Sequence, residues 1–264
     1  SYCIQLAPVY THVIDDCDHI LSVDFITDVK SKSGRTLEKE DRQTLLFSDT
    51  FSEDIKRLAA TWTLNPERIG IAPEQVAVDS VKQEVYSTPK DQKITVLYNL
   101  IKQTDVGKVM VFVNRRDQTR EVESQLYRYG IECGLLTGEV PQKKRIQTLD
   151  RFKSGEIMVL VATDVAGRGI HVDDVTHVVN YNLPEDPEDY VHRIGRTGRA
   201  GSKGVSISLA CEDDAFMLPN IETLLGIPMV CQQTPAELLT PLPAPTRSGR
   251  AKPPPKPRDK RRGR

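Results

Sequence analysis

The sequence predicts an α/β fold in which a parallel sheet is sandwiched between helices, and two observations lead to this prediction. Strand-like and helix-like patterns alternate from about residue 81 to residue 230, at the rhythm of repeated strand–helix–strand units. Two strand candidates, 109–113 and 158–162, are apolar throughout, as expected of parallel strands buried on both faces. Loops at the carboxyl ends of such strands usually carry function, so we expect a site there.

The first 65 residues contain too few strands for a complete sheet of this kind. Strand patterns occur at 10–15 and 42–48, and a helical spacing of apolar residues follows through Ile55, Leu58, Ala59 and Trp62. We therefore expect residues 1–65 to be the remnant of an incomplete domain with an exposed apolar face. Residues 66–80, with two prolines and little periodicity, are predicted to be an extended connection.

The segment 81–230 is predicted to form one complete domain, because it holds the remaining strands and helices in alternation. Its strand candidates are 81–87, 109–113, 132–136, 158–162, 177–181 and 205–210. Its helix candidates are 93–103, 116–129, 142–153, 187–193 and 214–225.

The composition, 38% apolar and 28% charged, is that of a globular protein in water. No apolar run approaches the ~20 residues of a membrane span, and the first residues lack the pattern of a signal peptide. The five cysteines form no Cys-x-x-Cys pair, which argues against a disulfide framework and a zinc site. These features predict a cytoplasmic protein with no membrane partner.

The charge is distributed unevenly along the chain. The net charge is −1, yet nine Lys/Arg and a single acidic residue lie between 247 and 264, so the end is strongly basic and the remainder acidic. Eight prolines fall between 235 and 257, and we expect residues 231–264 to be disordered. The basic tail either tethers a polyanion such as RNA or merely keeps a disordered end soluble.

The stretch His-Arg-Ile-Gly-Arg-Thr-Gly-Arg, residues 192–199, is the most informative in the chain. Arg193, Arg196 and Arg199 recur every third residue, and Gly195 and Gly198 between them allow close approach of a polyanion. Planar guanidinium groups are the usual means of stabilising charge on a transferring phosphoryl group. The pattern predicts phosphate contact, the alternative being a solvated basic loop.

Three further segments follow predicted strands or begin a predicted helix. Thr163 and Arg168 belong to a glycine-containing turn after strand 158–162, which can present backbone N–H groups to phosphate or be an ordinary turn. Gln142 and Arg145 open a helix, where the dipole and a cation favour phosphate, although a solvated face explains them as well. Asn114 ends strand 109–113.

Together these segments resemble four motifs of the DEAD-box RNA helicases, in the same order and spacing over roughly residues 8–228. The resemblance is greatest to the bacterial degradosome helicases. The matching segments are Val109 to Asn114, Gln142 with Arg145, Ala162 to Gly169 and His192 to Arg199. Gly167 and His171 stand where the family most often has Ala and Asp.

The resemblance implies a second RecA-like domain that closes on a first one, with ATP and single-stranded RNA bound across the cleft. Arg196 and Arg199 match the arginine fingers on the γ-phosphate, and His192 matches the residue that links them to the acidic motif. RNA contact is implied for five residues, namely Asn114, Gln142, Arg145, Thr163 and Arg168.

The acidic motif of the family, Asp-Glu-Ala-Asp, corresponds here to residues 15–18, which read Asp-Asp-Cys-Asp. By resemblance Asp15 supports Mg²⁺, and Asp15 and Asp18 bind the nucleotide. Asp16 replaces the glutamate that orients the attacking water and is one methylene shorter. Asp49 adds a further carboxylate nearby. On the residues alone, 15–18 could equally be a plain acidic turn.

No glycine-rich loop of the Gly-x-x-x-x-Gly-Lys-Thr type occurs in the sequence. We therefore expect the chain to be a C-terminal portion of an ATP-dependent RNA helicase that unwinds short duplexes in RNA turnover, and to be unable to hydrolyse ATP alone. The expected partners are RNA, single-stranded or duplex, the missing half of the first domain and, by resemblance, ribonuclease E.

Two other functions remain open at this point. One is a non-catalytic module that binds RNA or a protein. The other is a DNA helicase of the same superfamily, which is disfavoured because His192 stands where many of those relatives have glutamine.

Overall fold

The computed structural model describes residues 6–15, 17, 26–48, 53–70, 80–103, 105–167, 170, 172, 174–198 and 202–247. The chain divides into two compact units, residues 1–74 and 75–264. Each unit has its own sheet: the first has two strands and the second has seven.

The first unit is a small, open α/β unit. In chain order its elements are β1 Thr11–Ile14, α1 Ile26–Ser33, β2 Gln43–Leu46 and α2 Glu53–Trp62. The two strands are parallel, with Val13 opposite Leu45. Ile14 and Trp62 are buried, whereas Val13 and Phe47 are each 54% exposed. The apolar face expected to be exposed is therefore present. The sequence analysis did not predict α1, which carries only two apolar residues.

The second unit follows the predicted alternation of strands and helices. Its strands are β3 Val81–Ser87, β4 Lys108–Phe112, β5 Cys133–Leu136, β6 Val159–Ala162, β7 Val175–Asn180, β8 Gly204–Ala210 and β9 Cys231–Gln233. Its helices are α3 Lys93–Ile101, α4 Arg116–Arg128, α5 Gln142–Lys153, α6 Asp164–Gly167, α7 Pro187–Ile194 and α8 Leu218–Leu225, with 3₁₀ turns at Ala215–Met217 and Ala236–Leu239.

All pairings in the second sheet are parallel, and the strand order is β5-β6-β4-β7-β8-β3-β9. The residues of β4 are buried on both faces, as its unbroken apolar pattern predicts. Val109 and Val111 pack into a core with α3 and α4, while Met110 and Phe112 pack into a second core with α5 and α6. The predicted sheet between two helical layers is confirmed.

Residues 231–247 are ordered, so the expectation of disorder from residue 231 is wrong for this stretch. Strand β9 pairs with the end of β3, and Leu238 is buried against α3. The Asn99 side chain donates to the carbonyls of Leu238 and Thr240, at 2.9 and 2.7 Å. Farther on, the backbone N–H of Thr246 donates to the Arg128 carbonyl at the end of α4. We call residues 234–247 the strap.

The composition misled the prediction because proline-rich sequence lacks periodicity, whereas the strap is held by side-chain and backbone hydrogen bonds to two helices. Residues 248–264 lie outside the described residues, and disorder there stays a prediction.

If the strap stabilises the domain, Leu238→Ala should lower the free energy of unfolding by about 2–5 kcal/mol, the usual cost of truncating a buried leucine. Leu238 is 3% exposed and its neighbour Leu239 is 38% exposed, so Leu239→Ala is a matched control with a smaller effect. Urea denaturation measures both. Equal, negligible losses for the two variants would contradict the packed strap.

Candidate functional site

The strand order brings three loops together at the carboxyl edge of the second sheet. Strand β4 lies between β6 and β7, so the segments that follow these three strands are neighbours. Asn114 follows β4, Thr163 follows β6, and Asn182 follows β7. Helix α7 then carries His192 and Arg193 to the same edge. Loops at this position are where ligands bind in open α/β sheets.

Arg193 is the centre of this edge and is almost completely buried, at 1% exposure. Its Nε lies 2.6 Å from Asp164 Oδ1 and its Nη2 lies 2.7 Å from Asp164 Oδ2. This is a two-point ion pair of the kind that a planar guanidinium favours. Since Asp164 begins α6, the pair joins α7 directly to α6.

The remaining donors of Arg193 go to the segments after β4 and β7. Nη2 donates to Asn114 Oδ1 at 2.7 Å, and Nη1 donates to the Asn182 carbonyl at 2.7 Å and to Asn180 Oδ1 at 3.3 Å. All five N–H groups of the guanidinium therefore have protein partners. We call Arg193 and these four partner residues the Arg193 lock.

The prediction that Arg193 contacts phosphate is therefore wrong, because none of its donors is left for one. Tyr190, Arg193 and Ile194 occupy the buried side of α7, and the i, i+3, i+4 spacing of the three in the sequence is the signal that could have found this. Burial raises the pKa of Tyr190 to about 12, so its hydroxyl stays protonated and donates to Gln83 at 3.0 Å.

Both ends of the Asn114 side chain are engaged within the protein. Its oxygen accepts from Arg193, and its Nδ2 donates to the Leu183 carbonyl at 2.8 Å. These two bonds use one of the two N–H groups of Nδ2 and one of the two lone pairs of Oδ1. Contact of this side chain with RNA stays a prediction.

Arg196 is held by backbone carbonyls at the same edge. Its Nε donates to the His192 carbonyl at 3.0 Å and its Nη1 donates to the Ile170 carbonyl at 3.1 Å. The Nδ1 atom of His192 lies 3.9 Å from Asp189 Oδ1. A small cavity lies beside them, lined by Phe112, Asp164, Gly167, His192, Arg193 and Arg196. Two predicted catalytic residues, His192 and Arg196, are thus brought together, while Arg199 lies outside the described residues.

Packing favours glycine at two positions of this region, 167 and 198, in addition to any access that glycine gives to a ligand. Gly198 has φ +68°, a left-handed conformation that favours glycine, and a Cβ there would lie 2.7 Å from Val81 Cγ2. A Cβ on Gly167 would lie 2.6 Å from Phe112 Cε1. The Phe112 ring therefore fills the space that the commoner alanine of this motif would need.

Two of the predicted RNA-contact residues, Thr163 and Arg145, lie at α6. The Thr163 carbonyl accepts from the N–H groups of Ala166 and Gly167 and so begins the helical turn. Arg145 reaches across from α5, and its Nη2 donates to the Ala166 carbonyl at 2.7 Å. Gln142 is exposed at the first residue of α5, and Arg168 lies outside the described residues. Arg145 and Thr163 therefore meet at α6, and contact of Gln142, Arg145 and Thr163 with RNA stays a prediction.

A second buried cation, which sequence analysis missed, holds the segment after β7 from its other side. Lys93 has 0% exposure, and its Nζ lies 2.9 Å from the Tyr181 carbonyl and 3.1 Å from Asp214 Oδ2. Asp214 in turn accepts from the N–H groups of Leu183 and Cys211. A lysine that opens a helix looks like a solvated residue in the sequence, so no local signal marks it.

In the first unit, Asp15 is exposed directly after β1. Asp16 and Asp18 lie outside the described residues, as does Asp49. One carboxylate at the carboxyl end of a parallel strand fits Mg²⁺, which is typically held by one or two carboxylates and water. Within the described ranges no three metal-ligating side chains cluster, and none of the helices there is long and apolar enough to cross a membrane.

Comparison with known proteins places the chain among helicases. A family model described as "Helicase conserved C-terminal domain" matches residues 92–201. ATP-dependent RNA helicase RhlB of Pseudomonas putida is 52% identical over 240 residues, which are 91% of this chain and 60% of that protein. RhlB of Shewanella frigidimarina is 43% identical, over 97% of this chain and 59% of that protein. The chain thus spans about 60% of the length of the curated relatives it matches.

Solved structures agree. S. cerevisiae Dbp5 bound to RNA and ADP BeF3 has a TM-score of 0.78 and 31% identity, over 88% of this chain and 61% of that one. The E. coli DEAD-box protein SrmB, bound to regulator of ribonuclease activity A, has a TM-score of 0.56 and 34% identity, over 65% of this chain and 97% of that one. The expected RecA-like α/β fold is confirmed.

Lys93, at the start of α3, and Lys90, three residues before it, offer a matched test of the buried cation. Lys93→Met should lower the free energy of unfolding by about 3–5 kcal/mol, because Asp214 is left as a buried charge without its cation. Lys90 pairs with Asp213 where both side chains are more than half exposed, so Lys90→Met should scarcely shift the urea midpoint. Similar shifts for both variants would contradict the role assigned to Lys93.

Proposed function

Because this chain belongs to the DEAD-box family of helicases and is similar to its RhlB members, we propose that it is part of an ATP-dependent RNA helicase that unwinds short RNA duplexes. The observation that carries the proposal is the carboxyl edge of the second sheet. There Arg145 and Thr163 lie at the α6 turn, and the buried ion pair between Asp164 and Arg193 lines a small cavity together with His192 and Arg196.

RNA binds at the α5–α6 edge in this proposal. The exposed Gln142, the cation Arg145 and the turn after Thr163 offer an amide, a positive charge and backbone N–H groups, which suit a phosphate backbone. Arg168, in the same turn of the sequence, adds a second cation. The solved structure of S. cerevisiae Dbp5 bound to RNA, at 31% identity, supports RNA as the ligand. Such contact is largely independent of base sequence and weakens as salt is raised.

ATP is the proposed nucleotide, with Arg196 and Arg199 as fingers on its γ-phosphate and His192 beside them. Asp15 would hold Mg²⁺ and Asp18 would assist nucleotide binding, while Asp16 would take the place of the water-orienting carboxylate. When bound, the nucleotide and its metal supply the phosphoryl group and neutralise part of its charge. The residues of this chain contribute positive charge and orientation, and we propose that this chain alone does not turn over ATP.

Further proposals concern the protein as a whole. By its similarity to RhlB, it acts in RNA turnover in the cytoplasm, with ribonuclease E as a protein partner, and hydrolysis also needs the part of its relatives' length that this chain does not span. The binding-only alternative is favoured by Asp16, whose carboxylate is one methylene shorter than the family's glutamate. ATP hydrolysis with and without single-stranded RNA separates the two functions.

The finger assignment predicts that Arg196→Ala lowers RNA-stimulated ATP hydrolysis by a factor of about 10³–10⁵, in a protein that joins this chain to a phosphate-binding loop. RNA affinity should be unchanged, because Arg196 lies on the α7 side of the edge. Arg151→Ala is the control, since Arg151 pairs with exposed glutamates near the end of α5. Retained turnover in Arg196→Ala, measured by phosphate release, would refute the assignment.

The tether hypothesis predicts that removing residues 248–264 lowers RNA affinity and flattens its dependence on salt. For every phosphate that the tail neutralises, its removal should reduce the slope of log affinity against log salt by about 0.7 for single strands. A variant that keeps the length but has glutamine for the eight Lys/Arg of 248–264 separates charge from length. An unchanged slope in fluorescence anisotropy would leave solubility as the role of the tail.

A further inference from the structure

We propose that the Arg193 lock couples the two sides of the site, so that RNA held at α6 also steadies α7 and the arginine that follows it. Arg193 and Asp164 are then positioning residues that touch neither RNA nor nucleotide. The inference rests on the proposed RNA binding at α6, and it adds the route by which that binding reaches Arg196.

The route is short. Asp164 is the first residue of α6, directly after Thr163, and both of its carboxylate oxygens are bound by Arg193. Arg196 lies three residues beyond Arg193, and its Nε is tied to the His192 carbonyl in the same helix. One ion pair and one turn of backbone therefore join the RNA side to the finger, in addition to the hydrogen bond from Arg196 Nη1 to the Ile170 carbonyl beyond α6.

The contacts along this route also prevent α6 and α7 from moving independently. The guanidinium of Arg193 lies 5.4 Å above the Phe112 ring, and the same ring touches the position where Gly167 would carry a Cβ. The ring thus contacts α6 and α7 at once. Every N–H of the guanidinium is already engaged, so α6 cannot shift without either carrying α7 along or leaving a buried charge without a partner.

The base of the lock is fixed independently. The segment after β7 accepts from Arg193 at the Asn182 carbonyl and from Lys93 at the Tyr181 carbonyl, so two buried cations grip adjacent residues. When a ligand orders α6, the ordering therefore extends to α7, because the segment after β7 is held in place and does not move in response. Coupling of this kind can act through reduced fluctuation without a change of average structure.

Hydrogen exchange of the 264-residue chain, with and without single-stranded oligouridine, tests the proposal without any ATP hydrolysis. RNA should slow amide exchange in peptides covering 163–167 and also in peptides covering 187–198. Slowing confined to 163–167 would overturn the coupling and leave the proposed RNA site standing. Slowing at neither segment would overturn the RNA site, and the coupling with it.

Variants locate the effect in the ion pair. Asp164→Asn is close in shape but removes the charge that holds Arg193, so RNA should still slow exchange at 163–167 but no longer at 187–198. Arg193→Lys, which keeps the charge and gives up the five-donor fork, should lose the same response and serves if Asp164→Asn does not fold. Since each variant is compared with itself without RNA, a general loss of stability does not imitate this pattern.

The matched control is Glu156→Gln, which neutralises a carboxylate bound to Arg151 in an exposed ion pair. It should keep the RNA response at both segments. Retention of the response at 187–198 in Asp164→Asn or in Arg193→Lys would overturn the role of the lock.

Discussion

The buried ion pair between Arg193 and Asp164 is the interaction on which the carboxyl edge of the second sheet depends. A guanidinium at 1% exposure is costly to desolvate unless all its donors are satisfied. That requirement recruits one partner from each neighbouring segment: Asp164 after β6, Asn114 after β4 and Asn182 after β7. The energetic need of one buried charge therefore determines how three loops are arranged.

The strand order makes this arrangement possible. With β4 between β6 and β7, the ends of the three strands are adjacent, and a single side chain from α7 can reach all of them. Lys93 acts in the same way from the other core, since its only charged partner among the described residues, Asp214, also accepts from Leu183 at the end of the β7 segment. Two buried cations on opposite faces of the sheet thus hold one short segment, 180–183. The result is a stiff support beneath the residues proposed to act on ligands.

Sequence patterns predicted the regular elements of the second unit well, because apolar periodicity records burial directly. They failed where the buried residues are charged, or where a buried residue lies in sequence without apolar periodicity. Lys93 looks like a surface cation and Arg193 like a ligand-binding one, and the structure shows both to be structural. The strap was missed because proline-rich sequence has no periodicity, although Leu238 fills a core position.

The role of Gly198 was also misjudged. It was interpreted as giving a polyanion access, whereas its positive φ and the contact that a Cβ would make with Val81 demand glycine in any case. His192 and Arg196 were proposed from a motif that also contains the structural Arg193, and their catalytic roles stay a prediction.

Arg193 and Arg196 are three residues apart in one motif, yet they differ in what their surroundings allow. Both line the same small cavity, but every donor of Arg193 is engaged within the protein, whereas the bonds described for Arg196 run from Nε and Nη1 to backbone carbonyls. The two arginines therefore have different roles, and Arg193 holds Arg196 in place. If RNA bound at α6 steadies Arg196 through the lock, linkage requires the converse: a nucleotide that orders Arg196 must strengthen RNA binding by the same factor. A structural ion pair would then set how strongly the two ligands favour each other, without touching either of them.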